Sequence, residues 1–360
     1  MDTDVLFSSE QRVWRDLTDP RRGFENGNLE AGLKDPTFEN LEIPELFGPV
    51  KILVDDHKIK RYAFTQDDYK SWYFQSSPFG ERIGHASLLA NDLLQLFTTR
   101  YAASKVVGLH TEEELWFLSP ARVDEQVTLS GTYTESFIRR GQGYVVMEAE
   151  AQGEDGRVLL RHRGEEIMKT VPGVIGGRAS NSSHTSDSER ITGIVEENAR
   201  QFVSAAEGPL RPGIVLAQSE KTITLEQSAV FARIGEFIRN IHNDREVAAA
   251  GGLRGPIIQG QQQVGLLSSF LTDYFGDKWF TSGWIRAKFL QPVYVFEKLV
   301  LSGVITAVEH RDATTDRVAA HVWVRRGNGQ LATVAWVACD VPTRQTRPAT
   351  TSRDSPEATG

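Results

Sequence analysis

A single cysteine, Cys339, occurs in the 360 residues of this chain. An internal disulfide needs two and a thiolate zinc cage needs more, so neither is available, and the usage suits a reducing cytoplasm. An excess of positive charge is missing as well: 40 Lys and Arg stand against 48 Asp and Glu, a formal net charge of −8. With its basic residues scattered, the chain has no stripe for a phosphate backbone, and nucleic acid is not an expected partner. Long apolar runs are also lacking. KLVLSGVITAV falls far short of the roughly 20 residues a bilayer-crossing helix requires, so no membrane partner is expected. The opening MDTDVLFSSEQ is acidic and polar, without a basic-then-apolar leader, and a cytoplasmic location follows as an expectation. No phosphate loop with Lys-Ser/Thr, dinucleotide fingerprint, pair of histidines at metal spacing or Gly-x-Ser-x-Gly elbow is present, so no metal or cofactor is expected.

Charged residues make up 24% of the chain and hydrophobic ones 40%, an ordinary globular balance, and the length suits two domains. GVIGGRASNSSHTSDSE, near residues 174–190, is too polar to hold one conformation by burial and reads as a linker. The helical spacing of Ile194, Val195, Ala199 and Val203 predicts a connecting helix after it. The boundaries expected are an extension over 1–50, a first domain over 51–173, linker and helix over 174–213, a second domain over 214–342, and a disordered tail over 343–360.

The two halves share a pattern. Phe117, Pro120, Glu125, Leu129 and Gly131 recur as Phe289, Pro292, Glu297, Leu301 and Gly303, at a constant offset of 172 (289 − 117 = 172) without a gap. Alternating strand-like segments around a DG turn in one half and an NG turn in the other follow, a strong hairpin signal. Ahead of them each half has an apolar, helix-length segment: IGHASLLANDLLQLFTTRYA, with Leu88, Leu89, Leu93, Leu96 and Phe97 near one face, and GPIIQGQQQVGLLSSFLTDYF. The expectation is an α+β fold in which two antiparallel sheets each wrap a long central helix, paired edge to edge.

Between the first strand of the second half and its helix lies FARIGEFIRNIHNDREVAAAGGLRGPIIQG. This stretch resembles the hydratase motif of the MaoC-like, (R)-specific enoyl-CoA hydratase and acyl dehydratase family, and the outline of the chain from about 55 to 342 resembles that family's double hotdog form. Gly235-Glu236 stands where the family has Gly-Asp, Asn240 near its Asn, His242-Asn243-Asp244 at its His-x-Asp, and Gly255-Pro256-Ile257-Ile258 at the turn that opens the helix. Two departures are plain. Glu replaces Asp with a spacing to the histidine of six (242 − 236 = 6), one more than usual, and the family's His-Gly at the helix start is Gln259-Gly260 here, against His85-Ala86 in the first half.

The resemblance implies a hydro-lyase that adds or removes water across the double bond of an acyl thioester. Glu236 and His242 would share proton transfer, Asn240 would orient water, and helix-start N–H groups at Gln259 and Gly260 would receive the enolate oxygen. Glycines there would admit substrate close to the backbone. Each residue also has a plainer use: Asp244 as an N-cap, Asn240 as turn chemistry, the Gln259–Gln263 run as a polar helix face, His85 as a helix-start residue. The first half has no Glu/His pair at comparable spacing, and the resemblance makes it a pocket-shaping partner, with Trp72, Tyr73 and Phe74 as candidates to line the acyl pocket. A lyase or isomerase on a non-thioester metabolite and a noncatalytic hotdog binding an acyl or aromatic ligand stay open. So does assembly, as a self-sufficient fused pair or a homodimer.

Overall fold

The computed structural model describes residues 30–102, 105–106, 108–169, 190–195, 202–203, 211–232 and 240–343. In chain order its elements are β1 (Glu45–Val54), α1 (Asp56–Gln66), α2 (Ala90–Leu94), β2 (Leu109–Phe117), β3 (Glu125–Arg139), β4 (Gln142–Gly153) and β5 (Val158–Lys169). There follow β6 (Phe202–Val203), β7 (Val215–Thr222), α3 (Leu225–Ala232), α4 (Arg245–Ala250), α5 (Gly260–Phe275), α6 (Trp279–Ser282), β8 (Trp284–Phe289), β9 (Lys298–Asp312), β10 (Thr315–Arg326) and β11 (Leu331–Pro342).

The strands form one 11-stranded sheet in the order β1-β3-β4-β5-β2-β8-β11-β10-β9-β7-β6. Ten strands pair antiparallel, and the short β6 joins β7 in parallel. Two sheets paired edge to edge were expected. They are continuous because β2 and β8 pair directly, with Leu115 opposite Ile285 and Glu113 opposite Ala287, a register that repeats itself under exchange of the halves. The outward side chains select this pairing. Glu112 faces Lys288 and Glu114 faces Arg286 across the seam, Arg286 also pairs with Glu112, and the Trp284 indole donates to Glu114 over 2.8 Å. Acid on one strand and base on the other favour β2 with β8 over either strand with a copy of itself.

The repeat is carried into geometry. Asp124 and Phe296, 172 apart (296 − 124 = 172), both adopt the left-handed region at φ 61° and 65°. Opposite Gly131 and Gly303 the partner strands are bulged, between Phe47 and Val50 in β1 and between Leu216 and Ser219 in β7. A Cβ on Gly303 would meet the Val322 side chain at 2.7 Å, and one on Gly131 the Leu96, Ala149 and Met147 side chains at 3.1 Å, which is why both positions are glycine. Isolated bridges Ile83↔Arg122 and Ile257↔Tyr294 put His85 and Gln259, each two residues further on, in equivalent places.

The central helices are unequal. α5 is long, 16 residues with nearly every side chain buried. In the first repeat the expected helix shrinks to α2 and a 3-10 turn over Gln95–Thr99, although Leu88, Leu89, Leu93 and Leu96 are buried as its apolar face predicted. Thr98 and Thr99 donate their hydroxyls to the carbonyls of Gln95 and Leu96, competing with the helical ladder and tightening the turn. The expected connecting helix is absent over 190–195, which is irregular, and Phe202–Val203 is strand; its other residues, like those of the expected linker before 190 and of the tail from 344, lie outside the described residues. Ile191 packs on Trp323 and Val334, covering the outer face of the second repeat's sheet. β1 starts at Glu45, inside the segment read from sequence as an extension.

Candidate functional site

The turn Asn240–Asp244 is built by its own side chains. Asn243 accepts the N–H of Asn240 through Oδ1 over 2.9 Å, and Asn240 in turn accepts the N–H of His242 through Oδ1 over 2.8 Å. Asp244 caps α4, accepting from Glu246 and Val247. These short polar side chains take up backbone donors that a tight turn leaves without partners. Asn240 is therefore a turn builder through its oxygen.

His242 is half-buried, and its Nδ1–H donates to the carbonyl of Ile257 over 2.8 Å. That bond fixes the neutral tautomer and leaves Nε2 with the basic lone pair. Burial pushes the imidazole down to about 4, the hydrogen bond to the Ile257 carbonyl only partly offsetting it, so the ring is neutral around pH 7. Ile257 answers with its own N–H to the carbonyl of Ile241 over 3.1 Å, and Ile258 donates to Val293 over 2.9 Å. The histidine turn is thus stitched to the strand that leads, two residues later, into the start of α5. Gln259 is the N-cap there and makes no side-chain capping bond. Glu236, the expected partner of His242, lies outside the described residues, as do all of 233–239.

Gly260 lies against the Phe289 ring. A Cβ on it would come within 2.9 Å of the Phe289 ring, so the residue is small because an aromatic side chain lies over it. The glutamines after it bind protein. Gln261 donates to Glu113 over 2.8 Å, Gln262 to the carbonyl of Thr65 over 2.9 Å, and Gln263 accepts from Thr333 over 2.6 Å. The first turn of α5 is tied to both repeats, and two of the three ties cross between them.

The first-repeat candidates go to separate places. Trp72 packs on Phe280 with ring centroids 6.0 Å apart, Tyr73 is fully buried and donates to Asp68 over 3.1 Å, and Phe74 is exposed and stacks on Tyr69. They do not line one pocket together: Ser71–Tyr73 is a 3-10 turn, whose successive side chains point about 120° apart. His85 is inaccessible. Its Nδ1 accepts the N–H of Ser87 over 3.1 Å, so Nε2–H donates to Ser269 of α5 over 2.8 Å, with Asp68 Oδ2 at 3.5 Å. Burial takes it down to about 4, against the pull of Asp68. It is a neutral strut between the repeats.

Sequence reasoning missed a second polar group: Glu113, His110 and His162 meet under the first turn of α5. One signal was available, since Glu113 shares the inward phase of Leu115 and Phe117 on one strand. A hollow of about 720 Å³ lies elsewhere, on the outer face of the first repeat's sheet, between Leu46, Trp116, Leu118, Arg161 and Arg163. Among the described residues no group of three or more His, Cys, Asp or Glu is placed to hold a metal ion, and no helix is long and apolar enough to cross a membrane.

The fold is that of double hotdog proteins. Residues 211–325 match the family model described as MaoC like domain, so the second repeat is a MaoC-like domain. A solved structure described as a MaoC-like dehydratase aligns at a TM-score of 0.61 and 15% identity, over 86% of this chain and 98% of its own. Another, described as a MaoC domain protein dehydratase from Chloroflexus aurantiacus, aligns at 0.62 and 10% identity over 87% and 99%. A Mycobacterium tuberculosis protein described as having a double hotdog fold aligns at 0.56 and 12% identity over 85% and 99%. At these identities the likeness is one of fold. No curated protein matches the sequence.

Proposed function

We propose that this protein is a hydro-lyase acting on an acyl thioester, adding water to a 2-enoyl group or removing it from a 3-hydroxyacyl group. The observation that carries the proposal is His242, neutral and locked by Ile257, itself two residues before the N-cap of α5, inside the segment that matches the MaoC-like domain. In the hydration direction Nε2 of His242 takes the proton of water as its oxygen bonds to the β-carbon. The electron pair of the double bond moves to the thioester oxygen as an enolate. First-turn N–H groups of α5, which have no intrahelical acceptor, receive that oxygen. Glu236, entering as the carboxylic acid, gives its proton to the α-carbon as the enolate collapses and regains one from the His242 imidazolium, and positioned acid/base groups of this kind contribute ~10² to 10⁴ in rate. His85 and the side chains of Gln261, Gln262 and Gln263 support the helix.

Crotonyl-CoA and longer enoyl-CoAs, followed by loss of the conjugated thioester absorbance, test the proposal. Turnover by the wild type, with a loss of at least ~10²-fold in both His242→Ala and Glu236→Gln, supports it. Inertness across the panel, or full rates in both variants, rejects it; tight retention of acyl-CoA without conversion would favour a binding protein instead.

A further inference from the structure

Glu113 sits on β2 of the first repeat, wholly inaccessible, with Oε1 accepting from Gln261 over 2.8 Å. Its Oε2 lies 2.9 Å from Nε2 of His110 and 3.1 Å from Nε2 of His162. Burial alone would raise this carboxyl, yet His162 and His110 hold it down to about 2. A charge so deeply buried costs more than an apolar side chain of similar volume commonly would, and the second repeat shows that the sheet does not need it. There, the register that pairs Leu115 with His162 and Glu113 with Gly164 becomes Ala287 with Ala335 and Ile285 with Val337. At the positions equivalent to Glu113 and His162 the same fold is built with the apolar Ile285 and Ala335. Gly164 also leaves room for the imidazole, since a Cβ on it would meet the His162 ring at 3.0 Å.

The cluster touches the second repeat at the first turn of α5 and at Phe289 of β8. Gln261 is bound directly. His110 lies against Phe289, ring centroids 4.9 Å apart, and Phe289 is the ring that covers Gly260. Both contacts converge on the residues whose N–H groups face the entering thioester in the function proposed above.

We propose that Glu113 is a positioning residue: through Gln261 it holds the first turn of α5, and with it the donors of the second repeat's site, in the geometry that catalysis uses. The inference rests on the hydro-lyase reading for its catalytic meaning, but its structural half can be measured without turnover.

Three chains decide it: wild type, Glu113→Gln, whose side-chain oxygen still accepts from Gln261, and Glu113→Ala, which leaves Gln261 without an acceptor. Hydrogen exchange of the peptide spanning Ile257–Val264 reads the helix start. Glu113→Ala is expected to speed exchange there by about 10-fold while peptides from β9 and β10 stay unchanged, and Glu113→Gln to restore most of the protection. With crotonyl-CoA, kcat should fall by about 10- to 100-fold in Glu113→Ala with KM within about 3-fold, and recover in Glu113→Gln. Unchanged exchange at the helix start overturns the proposal, as does an equal loss in both variants or a loss of protection spread evenly over the molecule. Should Glu113→Ala fail to fold, Gln261→Ala removes the same bond from the donor side, and the same outcomes apply. Silence of the wild-type enzyme would defeat the hydro-lyase reading and leave the exchange result to stand alone.

Discussion

Glu125 and Glu297 make the same two contacts in the two repeats. Each accepts, through Oε2, the N–H of the residue three before it, Arg122 at 2.9 Å and Tyr294 at 3.2 Å. Each also pairs with an arginine of the following hairpins, Arg157 in the first repeat and Arg326, at 2.7 Å, in the second. The left-handed residue before each glutamate turns the chain so that its carboxylate points back to close the turn.

Removing either carboxylate strands a backbone donor and takes from an arginine, Arg157 or Arg326, a partner carboxylate. Glu125→Ala and Glu297→Ala should each destabilise the fold by about 3 kcal/mol, read as a lower midpoint in urea unfolding with an unchanged m-value. Glu297 is the more exposed of the two, at 20% against 4% for its side chain, so its loss should be the smaller. A loss under about 0.5 kcal/mol in both would mean the shared geometry contributes nothing to stability.

His85 and His242 predict the acid side of the stability curve. Burial depresses both, to about 4 from 6.5, so below pH 6.5 the unfolded chain binds protons that the folded one refuses. Stability is therefore present above 6.5 and lost as pH falls toward 4, by up to about 3 kcal/mol per histidine. Urea unfolding from pH 7 to pH 4 should show that slope, and His85→Asn should reduce it. An unaltered slope in the variant would place the proton uptake on other groups.

Gly260→Ala tests why that residue is small. An alanine at a helix start is otherwise harmless, but its methyl would displace the Phe289 ring, and a net cost of about 1 to 2 kcal/mol is expected. Pairing the substitution with Phe289→Leu should recover part of that cost in a double-mutant cycle. Additive effects in the cycle would show that the two side chains do not oppose each other.

Much of the architecture was legible because it depends on local patterning. The offset linking Phe117 to Phe289, the hairpin turns and the buried leucines of α2 follow from side-chain period and turn chemistry. Asp244 was likewise readable as a cap, since an N-cap bond spans only a few residues. The length of α2 was not, because it turned on two threonine hydroxyls competing for carbonyls. Nor could sequence separate Trp72, Tyr73 and Phe74, which a tight 3-10 turn sends in different directions.

The sequence by itself determined that this chain is two copies of one strand-rich unit and that the second carries a histidine turn ahead of a glycine-opened helix. Tertiary structure decided what those residues serve. Gln261 and Gln262 read as a polar helix face until β2 pairs with β8 and brings Glu113 and Thr65 of the first repeat against them. Partners 148 and 197 residues distant along the chain leave no trace in local spacing, and only the continuous sheet puts them within a hydrogen bond's reach.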